Sequence, residues 1–391
     1  MALTKAEVNE RFYSTVGGEI VFETEAQSFL HPYAVAKLVA ARARAWGSHA
    51  LKLLELGANN CAFATSMLKL LTAMVVYGDV DLNRIDYFAV ELARSALDAF
   101  FSDQGDGGDF QSVAAGAVGG PLVGTLTRLG RPQSTLHLVN SEAGAFVGGG
   151  SGRYDVVVLN ELLDDLPSRV YFSDSDANAF ELTAEATEEE GGRWRVTVRA
   201  EPAPGVEMPP RMLTATSPES LAVVHGAAEH LESGGMLVIH DYGFVERFVP
   251  LERYEPEPGP FPDFVTVEFS PGSDAGFPRR FFRIFGSEEA RVVQITTDVA
   301  FGELIEELER HGTVITLPHG NALLKTRESQ DDLRKGDGIF LSEFGTLEPG
   351  DDFRELLARL DAQQEKLRRD FANTYLAGST SVYADLLFIK E

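Results

Sequence analysis

Cysteine is almost absent. Cys61 is the only one among 391 residues, so no intrachain disulfide and no cysteine-built metal site can form. Basic residues are scarce as well: 34 Lys and Arg stand against 60 Asp and Glu, a formal charge of −26 at pH 7. That balance lacks the concentrated positive charge that phosphate binding needs, and no nucleic-acid partner is expected. Its field would attract a cationic substrate or a basic protein, although acid also serves plain solubility. No run approaches the roughly 18 apolar residues of a membrane span, so no membrane association is expected. The start, "MALTKAEVNERF", has neither an apolar secretory segment nor the Arg-rich character of a transit peptide, as expected of a soluble, cytoplasmic-type protein. The eight histidines show no HxxxH or similar spacing, so no metal is expected.

What is present is an alternation of strands and helices. "ALKLLEL" (50–56), "IDYFAVEL" (85–92), "TLHLVNS" (135–141), "YDVVVLNEL" (154–162) and "MLVIHDYG" (236–243) read as short buried strands. Helices are expected over 26–46, 61–76, "ARSALDAFF" and 217–233, the last with Ser217 as N-cap and Gly234-Gly235 as its stop. Such alternation predicts an α/β fold, a parallel sheet covered on both faces. The Gly-rich stretch around 104–124 reads as loop. Residues 179–200 alternate with period two around Gly191-Gly192, which predicts a β-hairpin. Toward the end, "FGELIEELERHG" predicts a helix, "TVITL" a strand, 351–376 a long charged helix and "YADLLFIK" a final strand. The expected organisation is an N-terminal helical segment (1–49), a core (50–170, 214–243 and 291–391), a hairpin insertion (171–213) and a lid or docking insertion (244–290).

In open α/β sheets, ligands bind beyond the carboxyl ends of the strands, at the switch in strand order. After the first strand, Glu55, Gly57, Ala58 and Asn59 put a glycine where backbone can approach a ligand, then an asparagine that tolerates a left-handed backbone. The further glycines of a cofactor loop are missing: Asn59 and Cys61 stand in their place. A strand merely turning into a helix gives the same pattern. Glu91, after the second strand, is placed to accept from both hydroxyls of a ribose; a solvated strand-end Glu is the plain alternative. Asn140-Ser141, after the third, could contact a base edge. After the fourth, "NELLDDLP" delivers Asn160, Glu161, Asp164 and Asp165 abruptly from an apolar run, where polar groups are costly if buried unpaired. Glu161 and Asp164 share a face if the loop begins helically. Two carboxylates facing a cofactor can hold a guanidinium or amine and accept its proton, while an N-cap cluster with a solvated turn is the structural alternative. After the fifth strand, "HDYG" places Asp241 and Tyr242 at the same edge, with His240 read as a core residue.

"LLELG", "FAVEL", "LNELLDDLP", "GGMLVIHDYGF" and "QITTDVAFGELIEELERHG", in that order, resemble the MidA-like class I S-adenosylmethionine-dependent methyltransferases. That family includes the mitochondrial complex I assembly-factor methyltransferases. The upstream "GGEIVFETEAQSFLHPYAVAKLVA" is similar to the family's N-terminal segment, with Thr24 in the part that covers the cofactor. The resemblance runs from about Gly17 to Lys390, and Asn-Glu-x-x-Asp-x-Leu-Pro at 160–167 is its most specific element. It implies a mostly parallel, seven-stranded Rossmann-like sheet closed by an antiparallel last strand, with S-adenosylmethionine as cofactor. Glu55, Gly57, Ala58 and Asn59 would then belong to the loop under the methionine part. Glu91 with Leu92 would hold the ribose, Asn140 and Ser141 would lie near adenine, and Asn160, Glu161 and Asp164 would face the transferring methyl. The sequence departs from the family in two places. The loop E-L-G-x-G-x-G has Asn59 and Cys61 at its second and third glycines, and "ETEAQS" lacks the usual Pro-Glu pair.

The family's functional likeness to protein arginine methyltransferases implies N-methylation of an arginine side chain on a protein partner. Two other readings stay open: a small-molecule methyltransferase whose insertions form a closed pocket, and a catalytically silent fold kept for assembly or binding.

Overall fold

Residues 2–16, 30–47, 49–105, 110–115, 120–149, 152–255, 261–270, 276–317 and 383–391 are described by the structure, a computed structural model. Thr24 and the helix expected over 351–376 lie outside these residues.

The chain begins with β1 (Leu3–Thr4) and α1 (Lys5–Val16). Thr4 and Glu7 form a capping box: the Glu7 carboxylate accepts from the Thr4 amide at 2.8 Å, and the Thr4 hydroxyl accepts from the Glu7 amide at 3.4 Å. From that start, the 3.6-residue period puts Lys5, Val8, Asn9, Phe12 and Val16 on one buried face. Then follow α2 (Leu30–Trp46), β2 (Ala50–Leu56), α3 (Ala62–Val76), β3 (Arg84–Glu91) and α4 (Arg94–Gly105). Next come β4 (Gln111–Ala115) and β5 (Leu122–Arg128), an antiparallel pair in the stretch expected to be loop. Glycine here serves packing rather than a turn: a Cβ on Gly124 would lie 2.3 Å from the Phe101 ring of α4, so only glycine lets that helix settle on the strand.

The path continues through β6 (Gln133–Asn140), α5 (Ala143–Gly149), β7 (Tyr154–Asn160), β8 (Arg169–Ser173), β9 (Ala179–Glu189), β10 (Arg193–Pro202), β11 (Met212–Thr216) and α6 (Pro218–Glu229). Ser217 caps α6 as expected, its hydroxyl accepting from the Ser220 amide at 3.1 Å. The helix stops short of Gly234-Gly235, because the His230 ring sits against the carbonyls of Gly152 and Val147 at 2.7 and 2.8 Å and the chain turns there into β12 (Leu231–Phe244). The remaining elements are β13 (Val249–Pro250), β14 (Val265–Ser270), β15 (Phe282–Ser287), β16 (Val292–Thr297), β17 (Val299–Ala300), α7 (Phe301–Leu308), β18 (Gly312–Leu317) and β19 (Tyr383–Lys390).

The main sheet runs in the order β18-β19-β12-β7-β2-β3-β6-β5-β4, with β17 pairing the end of β12. Strands β12, β7, β2, β3 and β6 are mutually parallel; β19 is antiparallel to β12 and to β18. Among the described residues the sheet is therefore mixed and ten-stranded rather than seven-stranded, lengthened at one edge by β5 and β4. Alternate residues feed the two faces: Leu51 and Leu53 pack under α2 and α3, whereas Leu54 and Leu56 pack under α6 and α7. The strand order reverses between β2 and β7, which sets the crevice beyond their carboxyl ends.

The segments 171–213 and 244–290, separate in the sequence reading, contribute to one second sheet of order β13-β11-β8-β9-β10-β14, with β1 on β9. β10 pairs with β14, and β11 with β13. Together with the β15–β16 pair they enclose a further core around Trp194, Phe264 and Phe281, into which α1 inserts Val8.

Candidate functional site

The loop after β2 is pinned by backbone bonds. The amides of Gly57 and Ala58 both donate to the Val90 carbonyl of β3, at 2.9 and 3.0 Å. Gly57, Asn59 and Cys61 are all left-handed, with φ of 77°, 45° and 61°. The loop thus keeps, without glycine at 59 and 61, a conformation glycine would adopt freely. Glu91 clamps it further, its carboxylate accepting from the amides of Asn59 at 2.7 Å and Ala93 at 2.8 Å. Burial raises the Glu91 pKa, and these two bonds oppose the rise. Each oxygen keeps a second lone pair for a ligand hydroxyl.

Glu55 points beneath the loop, 2% exposed, and accepts from the Tyr87 hydroxyl at 2.9 Å. Burial pushes its carboxyl up to about 8, so it is protonated at neutral pH. Cys61 is fully buried, and burial beside Glu55 and Glu91 raises its thiol, leaving it inert.

At the end of β6 the structure separates the expected pair. Asn140 spends its side-chain amide on the carbonyls of Glu91 and Leu92, at 3.0 and 2.8 Å, and does not line the crevice. It locks two strand ends together. Ser141 does border the crevice, as does Leu92, whose side chain is half exposed there.

The end of β7 carries the densest chemistry. His31 Nε2 lies 2.8 Å from Asn160 Oδ1, and the His31 ring stands 4.3 Å from that of His240. Asn160 Nδ2 and Asp164 Oδ1 are buried without a hydrogen-bond partner among the described residues. Glu161 is left-handed at φ 45°, a strained conformation for a residue with a side chain. It therefore does not open a helix shared with Asp164; a 3-10 turn over Leu163–Asp165 follows instead. Asp241 caps that turn, accepting from the amides of Leu163 and Asp164 at 2.8 and 3.3 Å. Burial raises Asp241 to about 7, against the lowering by those bonds. Asp164 is raised well above the carboxylate range by burial, then by Asp241 and Asp165, with Lys5 opposing.

Lys5 escapes the sequence reading. Its ammonium donates to the carbonyls of Asp164 (2.5 Å) and Leu166 (2.9 Å) and to Thr297 Oγ1 (2.7 Å). Burial lowers it to about 8, opposed by Asp164, Asp165 and Asp241. Asp165 is a second hub that accepts from Tyr13, Asn9 and Gln294. Lys5, Asn9 and Tyr13 recur at four-residue spacing on α1, and the Thr4–Glu7 capping box is the sequence signal that could have located that helix.

These pieces surround one crevice of about 290 Å³, near the lower end for ligand sites. Glu55, Gly57, Ala58, Asn59, Glu91, Leu92, Ser141, Asn160, Glu161 and Asp164 all line it. Its far wall is α1, through Phe12 and Tyr13, and the β15–β16 pair, through Phe285, Gln294 and Thr296. Adjacent strand tips thus bring together ten of the twelve expected residues. Asn140 stands apart, and Thr24 is outside the described residues.

Comparison of the sequence with protein-family profiles and with curated proteins finds no match. Solved structures do match. An uncharacterized protein of the COG1565 superfamily from Burkholderia thailandensis aligns over 100% of this chain and 87% of its own, at 17% identity and a TM-score of 0.54. A putative sarcosine dimethylglycine methyltransferase from Galdieria sulphuraria aligns over 91% and 84%, at 12% identity and a TM-score of 0.38. The glycopeptide N-methyltransferase MtfA, complexed with S-adenosylmethionine, aligns over 73% and 84%, at 16% identity and a TM-score of 0.33. The chain thus shares its α/β fold with the Burkholderia thailandensis protein, with the crevice at the carboxyl ends of the parallel strands.

Proposed function

We propose that this chain is a class I S-adenosylmethionine-dependent methyltransferase that N-methylates a cationic nitrogen, an arginine side chain on a protein partner. One observation carries the reading: Gly57, Glu91, Asn160 and Glu161, from three neighbouring strand ends, line the same crevice. The cofactor fits what is there. Gly57 at φ 77° keeps the loop free of a side chain, since a Cβ would sit 3.1 Å from Leu162 Cδ1. Asn160 Nδ2 offers a buried donor, and Asp164 Oδ1 a buried oxygen, each without a partner among the described residues.

When bound, S-adenosylmethionine would supply a methyl group already activated by its sulfonium. The chain would supply position and a place for a proton. Glu91 accepts from ribose hydroxyls while holding the loop through Asn59, and the exposed side of Leu92 offers an apolar face to adenine. Glu161, aimed by its left-handed backbone, orients the incoming guanidinium and localises its charge away from the attacking nitrogen. Asp164, whose charged form is disfavoured by burial, would serve as a proton acceptor once the cationic substrate lowers its pKa.

Calorimetry with S-adenosylmethionine, followed by labelled-methyl transfer to arginine-containing peptides, tests this. Wild type should bind, Gly57→Val should lose binding, and Glu161→Gln should bind the cofactor normally with transfer reduced at least ~100-fold. Unchanged affinity in Gly57→Val would refute the cofactor placement; full activity in Glu161→Gln would refute the role given to that carboxylate.

A further inference from the structure

Far along the chain from the strand-tip residues, α6 and α7 bring together a second set of donors. His225 Nδ1 lies 2.9 Å from Glu307 Oε1, and His311 Nε2 lies 3.5 Å from the same oxygen. The three ligand atoms fall within 4.8 Å of one another. We propose that His225, Glu307 and His311 bind a divalent transition-metal ion of the zinc and cobalt class.

The spacing suits it. Ligands held about 2.0–2.1 Å from a tetrahedral ion stand roughly 3.3–3.4 Å from each other, within the span of the two distances just given. Two imidazoles and one carboxylate are a borderline donor set that suits zinc and its neighbours rather than magnesium or calcium.

The surroundings orient these ligands as a metal site requires. His225 Nδ1 is the ring nitrogen turned to Glu307 Oε1; a cation bound there would move the ring proton to Nε2, the side on which Glu229 Oε1 stands 3.5 Å away. Arg310 holds Glu307 Oε2 at 2.5 Å, so that Oε1 alone turns toward the two rings. All three residues line a crevice of about 500 Å³ also bordered by Gly152, Arg153, His230 and Lys390, and three protein ligands would leave a tetrahedral ion one position for water. The expectation of no metal rested on the lack of His–His spacing. Here α6 contributes His225, while α7 and the turn that follows it contribute Glu307 and His311, and the set exists only where these segments meet.

Titration of the metal-free full-length chain with Co²⁺, followed by visible d–d absorption and then by Zn²⁺ competition, is the test. One equivalent should bind, with affinity at least ~100-fold weaker in the double variant His225→Gln/His311→Gln, which lacks two of the three ligands. The thermal midpoint of the wild type should rise on adding Zn²⁺ and that of the double variant should not. These side chains are partly exposed, so the metal-free double variant should melt where the metal-free wild type does. Absence of saturable Co²⁺ and Zn²⁺ binding to wild type overturns the proposal, as does equal affinity in the double variant.

Discussion

Gly57, Asn59 and Cys61 show how a conformation can outlast the residue that usually makes it easy. Their left-handed φ values are set by the amides of 57, 58 and 59, which are tied to Val90 and Glu91. A side chain held there costs about 1–3 kcal/mol. Asparagine lessens that cost, and the small Cys61 side chain regains some of it by complete burial beneath α3. A β-branched side chain has neither remedy. Cys61→Val should lose more than about 2 kcal/mol in urea unfolding, whereas Cys61→Gly should stay within about 1 kcal/mol of wild type, relief of strain offsetting lost packing. A valine variant as stable as wild type would show that position 61 bears no strain. The identities at 59 and 61 depart from glycine; only the hydrogen bonds to β3 and Glu91 reveal that the left-handed conformation is kept.

At the scale of elements, the β2–β3 pair joins Glu55 to Tyr87 in a buried layer, with consequences for pH. The folded chain holds a proton on Glu55 up to about pH 8 that the unfolded chain releases near 4.5. This stabilisation is full below about 4.5 and is lost as pH rises through 8. Its loss should be on the order of 3–5 kcal/mol between pH 5 and 9. Asp241, raised to about 7, acts in the same direction. Lys5, lowered from 10.5 to about 8, acts oppositely: its contribution is present above 10.5 and lost as pH falls through 8. Urea midpoints across this range should therefore fall toward pH 8, and Glu55→Gln should flatten much of the slope while keeping the bond to Tyr87. An unchanged slope in that variant would mean another group carries the titration. Most strands are legible as elements because each is an apolar run between polar turns, whereas α1 and its Lys5 escape that pattern. β4 and β5 are not legible either, since a glycine needed for close approach to α4, Gly124, looks the same as a loop glycine kept for freedom.

Among the described residues the strand-end crevice lies between the main sheet and the β15–β16 pair, and Lys5 is one tie across it. A single ammonium reaches the acidic turn at Asp164 and Leu166 and, through Thr297, the end of β16. Lys5→Met should leave buried carbonyls unsatisfied and cost about 3 kcal/mol or more, with α1 cleaved faster in limited proteolysis. A loss below about 1 kcal/mol would mean that the apolar face of α1 and the bonds of Asn9 and Tyr13 hold the layers together without Lys5. The strand-end residues after β2, β3 and β7 were readable because a sheet with parallel strands must gather its carboxyl ends, whatever covers them. Their covering was not. Apolar runs and periodicity suffice to say which residues are buried and where each element starts, since those properties belong to a few neighbours along the chain. That 171–213 and 244–290 build one sheet, that α1 closes the crevice, that Asn140 turns away from it and that His225 meets Glu307 were decided only in three dimensions. Burial leaves the same mark on a sequence whichever partner supplies it, and contacts across a hundred residues leave no local period to read.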